Sequence, residues 1–405
     1  MTHTELLQRL SQKTDSKIVL LVMDGLGGIR TRERPKTELE LAKIPNLNKL
    51  ASESVLGRII PASWGITPGS GPAHFSLFGY DPIDSNIQVG RGVLEALGLD
   101  MKLQPGDVAT RCNFATIDSK GLLSDRRAGR IPTEECERLC ELLTSKIKKI
   151  DDVKVIIKAG EQYRFVVVFR GKRLSGNIND TDPQTIGVKS LPAVANDSAS
   201  KRTAKIANQF IAKANQTLKS ESRANSVLMR GFSVLPHIPS MGERFHLNPA
   251  CIASFPLYRG VASVVGMKIL STGMEVEEEF KTLADHWSEH DFFFLHVKKT
   301  DSYGEDGNPE GKMKIMEQVD RLLPSLLDLK PDVLMITGDH ATPPPMRSHS
   351  WHPVPFLLHS TVCSFDDTTA FNETECAKGH LGTIPSHAII ELALANAGKL
   401  KKFGA

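Results

Sequence analysis

Lys17-Ile18-Val19-Leu20-Leu21-Val22-Met23-Asp24 is a continuous apolar run that ends in a carboxylate. A run without polar alternation reads as a strand buried on both faces, as in a parallel sheet covered by helices. Gly25, Gly27 and Gly28 follow, so the chain turns at once. Asp24 is thereby expected at the carboxyl end of a central strand, the edge where open α/β sheets hold their ligands. A turn aspartate that merely caps the next segment would look the same, so this one residue decides little alone.

The pattern repeats further on. Asp291-Phe292-Phe293-Phe294-Leu295-His296-Val297 is a second buried strand and leads to Asp301 and Glu305. Asp332-Val333-Leu334-Met335-Ile336-Thr337 is a third, followed by Gly338-Asp339-His340. Val354 to Leu358 is shorter, and Pro355 pushes it toward a sheet edge or a strand start. His349 and His352 stand just before it. In a parallel sheet these ends share one edge, so residues distant in sequence converge there. Each cluster alone could be a solvated turn. Together, several carboxylates with two or more imidazoles suit a pair of divalent cations such as Mn²⁺ or Zn²⁺.

Thr67-Pro68-Gly69-Ser70-Gly71-Pro72-Ala73-His74 has the grammar of a hydroxyl carried on a turn. Gly69 and Gly71 permit a sharp bend and a close approach by phosphate. Pro72 suits the first turn of a helix, which Ala73 to Leu77 continue. Ser70 is then expected near a helix N-terminus, where free N–H groups favour an anion. Two cations beside such a serine would suit attack of its hydroxyl on phosphorus.

Around these signals the chain reads as α/β with an interruption. Glu38 to Leu50 is expected to be helical, with Pro45 making the helix short or late. From about Arg111 the texture changes to hairpins: Arg111 to Ile117 with Leu122-Leu123, then Val153 to Lys158 with Arg164 to Arg170. Thr133 is expected to cap a helix carrying Cys136, Leu139, Cys140 and Leu143 inward, and Ala204 to Leu218 to form another. This block suggests an α+β insertion. The expected division is a core of residues 15–85 and 245–405, with residues 86–244 inserted. Arg91, between two glycines before a helix, and the cluster Arg126, Arg127 and Arg130 are candidate contacts for an anionic substrate through bidentate pairing.

Composition narrows the classes. The formal net charge of +3 over 405 residues is too small to argue for nucleic acid. No run approaches membrane-spanning length, and residues 1–15 carry no apolar signal core. The six cysteines show no metal-type spacing and read as reduced thiols of a cytoplasmic protein.

Met23-Asp24-Gly25, Gly69-Ser70 with Phe78-Gly79-Tyr80-Asp81-Pro82, Thr337-Gly338-Asp339-His340, and His349 with Pro353-Val354-Pro355 resemble the alkaline phosphatase superfamily. Asn113-Phe114-Ala115-Thr116, Asp125-Arg126-Arg127-Ala128-Gly129-Arg130 and Lys402-Phe403-Gly404-Ala405 extend the likeness, over nearly the whole chain, to the archaeal-type 2,3-bisphosphoglycerate-independent phosphoglycerate mutases. The resemblance implies an alkaline-phosphatase-like, mostly parallel central sheet flanked by helices, with a smaller inserted α+β domain acting as transferase lid over a cleft. It implies interconversion of 3-phosphoglycerate and 2-phosphoglycerate through a phosphoserine at Ser70, with no 2,3-bisphosphoglycerate cofactor. Asp24, Ser70, Asp339 and His340 match one metal site, and Asp301 and His349 match two ligands of the other. Glu305 stands where the family usually has a histidine, a harder and more negative ligand. Mn²⁺ is the expected cation, with Mg²⁺, Zn²⁺ and Co²⁺ as alternatives. The expected partner is a small phosphorylated carboxylic acid, not nucleic acid or membrane, and the expected state is a monomer or small homo-oligomer. The rival readings are another two-metal phosphotransferase or phosphomonoesterase on the same core, and a non-catalytic phosphometabolite-binding relative.

Overall fold

In the computed structural model, which describes residues 2–84, 89–236 and 238–404, the chain has two compact units. One is Met1–Gln88 with Ile238–Ala405; the other is Val89–His237. The expected core boundary at 85/86 lies outside the described residues. The expected boundary at 244/245 falls inside a helix, Met241–Phe245, that belongs to the first unit. Met241 N–H donates to the Val265 carbonyl (2.9 Å), and Gln8 donates to the Glu243 carbonyl (3.1 Å), which tie that helix to the first unit.

The strands in chain order are β1 (Ile18–Met23), β2 (Val55–Ile60), β3 (Val108–Ile117), β4 (Leu123–Asp125), β5 (Lys149–Ile150), β6 (Val153–Ala159) and β7 (Arg164–Arg170). After these come β8 (Ser226–Val234), β9 (Pro249–Ala253), β10 (Lys268–Leu270), β11 (Phe292–Val297), β12 (Val333–Thr337), β13 (Val354–Ser360) and β14 (Gly382–Pro385). The first unit holds an eight-stranded sheet in the order β10-β9-β11-β1-β12-β13-β2-β14. Strand β1 lies inside it, parallel to β11 and β12, and all six of its residues are buried. Its unbroken apolar run thus has the expected setting, an internal strand with every residue buried.

Of the two placements that Pro355 suggested, the strand start holds and the sheet edge does not. Strand β13 lies inside the sheet, antiparallel to both β12 and β2. Pro355 is the second residue of the strand, and its carbonyl accepts from the Thr337 hydroxyl (2.8 Å). The reversal matters for the site. Residues before β13 sit on the same edge as residues after β1, β11 and β12.

Pro45 divides the expected helix into Glu38–Leu41 and Pro45–Ala51, the second starting on the proline itself. The helix Ser70–Leu77 has Gly69 as its N-cap at φ −86°, so its entry needs no left-handed glycine.

The second unit is an antiparallel sheet in the order β4-β3-β7-β6-β5, with β8 also paired to β3. Helices Thr133–Lys146 and Lys201–Thr217 supply Leu139, Leu143, Ile206 and Phe210 to a core shared with Phe165, Val167 and Phe169. Thr133 is not the cap expected of it. Pro132 holds that position, and the Thr133 hydroxyl accepts from Gln162 N–H (3.1 Å). Among the described residues no helix is long and apolar enough to cross a membrane.

Candidate active site

Four loops meet at one edge of the eight-stranded sheet. Asp24 follows β1, Asp301 lies on the short helix Lys299–Glu305 after β11, Asp339 and His340 follow β12, and His349 precedes β13. Asp24, Asp339 and His340 bring one donor atom each within 4.8 Å of one another, and so do Asp301, His340 and His349. His340 therefore belongs to both clusters. Ser70, the first residue of its helix, places Oγ 3.5 Å from His340 Nε2.

The backbone allows this crowding at two glycines. Gly25 has φ +64°, and a Cβ there would lie 2.6 Å from Thr342 Oγ1 and 2.8 Å from Asp301 Oδ1. A Cβ on Gly304 would meet the Thr342 carbonyl at 2.4 Å. Neither position has room for a side chain.

Hydrogen bonds fix which imidazole nitrogen faces the site. Thr342 Oγ1 lies 2.6 Å from Asp301 Oδ1 and 3.0 Å from His340 Nδ1. A carboxylate only accepts, so the hydroxyl donates to Asp301 and accepts from His340 Nδ1–H. His340 Nε2 then carries a lone pair. It points at Asp24 Oδ1 (3.4 Å) and Asp339 Oδ2 (3.1 Å). His349 Nδ1–H donates to the Pro68 carbonyl (3.0 Å), which leaves Nε2 facing Asp301 Oδ1 (3.6 Å).

The charges are arranged to match. Burial lowers the His340 pKa well below the usual imidazole value, so the ring is neutral. Burial alone would raise Asp24, but Lys298, His296 and His340 more than offset it and hold the carboxylate well below its usual range. Asp339 goes the other way, raised by burial and by the charge of Asp24 beside it. The two neighbouring carboxylates are thus pushed in opposite directions. Asp24 Oδ1 and Asp339 Oδ2 are buried and have no hydrogen-bond partner among the described residues. Converging lone pairs without donors are costly unless a cation joins them. Two carboxylate oxygens and an imidazole nitrogen form a hard-to-borderline set that fits Mn²⁺, Mg²⁺ or Zn²⁺.

Glu305 lies at the margin of the second cluster and is in neither donor set. Its side chain is 54% exposed, and Oε1 is 3.8 Å from His349 Nε2. The last turn of its short helix turns it outward, whereas Asp301 in the first turn points in.

Several participants carried no signal in the sequence. Lys298 bridges Asp24 Oδ2 (3.2 Å) and Asp301 Oδ2 (2.5 Å). Burial pulls its pKa down, but these carboxylates outweigh burial and keep it charged. His74, one helical turn after Ser70, donates Nδ1–H to the Ser70 carbonyl (2.7 Å), and burial pushes its pKa down to about 3. His296 stacks on Tyr258 (3.8 Å) with its Nε2 3.4 Å from Asp24. A lysine after a strand and an i, i+4 histidine are readable as positions, but their partners are not.

The arginines divide differently from the expectation. Arg126 forms a bidentate pair with Asp182 (2.7 and 2.8 Å) and donates to the Gln184 carbonyl (3.0 Å). Its fork is engaged within the second unit. Arg127 and Arg130 are exposed, on a turn held by Asp125. Arg91 is exposed at the start of helix Arg91–Gly98. Arg111, half-buried, has Glu95 at 3.9 Å, and burial, with Arg164 and Arg91 nearby, lowers its pKa. Nε of Arg111 and of Arg164 are both buried without a hydrogen-bond partner among the described residues. The sequence shows both only as strand residues.

A profile of the 2,3-bisphosphoglycerate-independent phosphoglycerate mutase family matches residues 51–223. The chain is 51% identical to an Aquifex aeolicus protein named a probable member, over 99% of this chain and 100% of that one. A Thermus thermophilus protein of the same name is 48% identical over 98% of each chain. The solved cofactor-independent phosphoglycerate mutase of Thermoplasma acidophilum superposes with a TM-score of 0.73 at 30% identity, covering 95% of this chain and 100% of that one. A solved Pyrococcus horikoshii protein superposes with a TM-score of 0.82, also at 30% identity, over 96% and 99%. With half of its residues shared end to end with such relatives, the chain belongs to the 2,3-bisphosphoglycerate-independent phosphoglycerate mutase family.

Proposed function

We propose that this chain interconverts 3-phosphoglycerate and 2-phosphoglycerate, with Ser70 as the group that accepts and returns the phosphoryl. The observation that carries the reading is the placement of Ser70 Oγ, at a helix N-terminus and 3.5 Å from the imidazole nitrogen that both donor clusters share. Asp24, Asp339 and His340 would hold one divalent cation and Asp301 and His349 the other, with Glu305 reaching the second from its margin. Bound there, the pair would supply Lewis acidity, lowering the pKa of the serine hydroxyl and screening the phosphoryl oxygens. Oxygen donors with one or two imidazoles suit Mn²⁺, which is the cation proposed here, as they also suit Mg²⁺ or Zn²⁺.

The chain's own residues do the rest. The Ser70 hydroxyl forms a bond to phosphorus as the bond to the substrate hydroxyl oxygen breaks, and the serine proton ends on the glycerate alkoxide. The helix N-terminus offers N–H groups to the transferred group. Lys298 keeps one positive charge beside Asp24 and Asp301, which moderates the negative field that an incoming phosphate meets. The group then returns to the neighbouring hydroxyl of the retained glycerate. Water must stay out while Ser70 carries it, or the phosphoryl is lost as free phosphate. Of the arginines expected to meet an anionic group, Arg91, Arg127 and Arg130 are exposed and stay candidates, whereas the fork of Arg126 is engaged by Asp182. Six unpaired cysteines support a reducing, cytoplasmic setting.

The test is acid-quenched protein mixed with 3-phosphoglycerate and Mn²⁺, analysed by mass spectrometry. The expected result is one phosphoryl group on the peptide carrying Ser70, absent in Ser70→Ala together with mutase turnover. Full mutase activity in Ser70→Ala would sink the serine mechanism. Free phosphate without 2-phosphoglycerate would make the chain a phosphatase.

A further inference from the structure

Lys312 sits in the first turn of the helix Pro309–Leu327 and is completely buried. Lysine seldom occupies such a place unless its charge is met. Here the ammonium spends its three protons on backbone carbonyls: Gly25 (2.7 Å), Thr342 (2.9 Å) and Gly27 (3.1 Å). Gly25 and Gly27 belong to the loop after Asp24, and Thr342 to the loop after Asp339 and His340. Both loops carry donors of the cation site, and the lysine touches none of those donors itself.

The same two loops are also joined directly. Thr342 N–H donates to the Gly25 carbonyl (3.1 Å), and Gly25 N–H donates to Asp339 Oδ1 (3.0 Å). The Thr342 hydroxyl bonds both Asp301 and His340. A tetrahedral ammonium is suited to gathering three carbonyls around one point, whereas a planar guanidinium is not. Its charge also offsets carbonyl dipoles that would otherwise face one another in a buried space.

We infer that Lys312 is a positioning residue: it sets the spacing of the Asp24 loop against the Asp339–His340 loop and so preorganises the cation site. The inference rests on the reading of these residues as metal ligands. Without the ammonium, three carbonyls repel, the loops part, and Asp24 and His340 no longer share one centre. A lysine that only stabilised the fold would leave cation affinity untouched in protein that remains folded.

Direct Mn²⁺ binding, by paramagnetic resonance of the free ion, separates the two. The variants are Lys312→Met and, as a control for lost stability, Leu323→Ala in the buried face of the same helix. All are measured below their melting temperatures, confirmed by circular dichroism. Lys312→Met is expected to bind Mn²⁺ at least about tenfold more weakly, while Leu323→Ala keeps wild-type affinity despite its lower Tm. At saturating Mn²⁺, Lys312→Met is expected to keep KM for 3-phosphoglycerate and to lose kcat. If Lys312→Met does not fold, Lys312→Gln, with two donors for three carbonyls, reads the same quantity. Wild-type Mn²⁺ affinity in either lysine variant, or equal weakening in Leu323→Ala, overturns the positioning role. Failure of the wild-type chain to bind Mn²⁺ overturns the metal reading beneath it.

Discussion

Replacing Thr342 by valine is the most direct probe of how the site is held. The side chain is fully buried and valine keeps its shape, so the change removes one hydroxyl and little else. That hydroxyl donates to Asp301 Oδ1 at 2.6 Å and accepts from His340 Nδ1–H at 3.0 Å. The first bond involves a charged acceptor and is worth about 1.5–3 kcal/mol, the second about 0.5–1.5 kcal/mol. Their loss also frees His340 to carry its proton on Nε2, where it would face Asp24 and Asp339 as a donor and not as a ligand. Only the share that disturbs the ligand geometry appears in cation affinity. Partners of this kind typically cost about 10–100-fold, or about 1.4–2.7 kcal/mol. The assay is Mn²⁺ titration by calorimetry of wild-type, Thr342→Val and Thr342→Ser protein, with mutase rate followed against free Mn²⁺. The serine variant keeps the hydroxyl and is expected to restore most of the affinity. A valine variant that binds Mn²⁺ within about twofold of wild type, or about 0.4 kcal/mol, would refute the tautomer argument.

Two further outcomes follow from the charges. Because burial and Asp24 raise Asp339 in the metal-free fold, a cation must displace its proton. Mn²⁺ affinity is therefore expected to climb with pH, by at most about tenfold per pH unit per proton, until the pH passes the raised value. The same proton has a stability consequence. Asp339 binds more protons folded than unfolded above its ordinary value near about 3.9, so metal-stripped protein loses that contribution as pH rises through the raised pKa. Affinity that is flat with pH would remove Asp339 from the site. Lys298→Met leaves Asp24 and Asp301 without the ammonium now 3.2 and 2.5 Å away. Removing one partner of a buried pair costs about 3–5 kcal/mol, and the lysine is 16% exposed, so the lower end applies. The loss of Tm should be large in metal-stripped protein and small with Mn²⁺ bound, because cations then meet the same carboxylates. Equal losses in both states would show that the lysine is not a counter-charge to the cation site.

What the sequence by itself determined is local. The apolar runs of β1, β11 and β12 announce doubly buried strands, because a chain with no polar side must be covered on both faces. The glycines and proline around Ser70 place that residue at a helix start, and Pro45 starts a helix rather than continuing one. Strand ends then point to Asp24, Asp301, Asp339 and His340 as neighbours, since parallel strands share an edge. What only the tertiary structure decided is everything that depends on a distant partner. Strand β13 lies reversed inside the sheet, and only that reversal carries His349 to the shared edge. Its direction is set by pairing to β12 and β2, which no local pattern encodes. Lys312, Thr342 and Lys298 read as ordinary surface-type residues, because their partners are backbone carbonyls and carboxylates brought in by other loops. Arg126 looks free for an anion in sequence, yet Asp182, on a loop without regular structure, takes its fork. The alphabet of the site is written in the chain, but the pairing of its charges is a property of the fold.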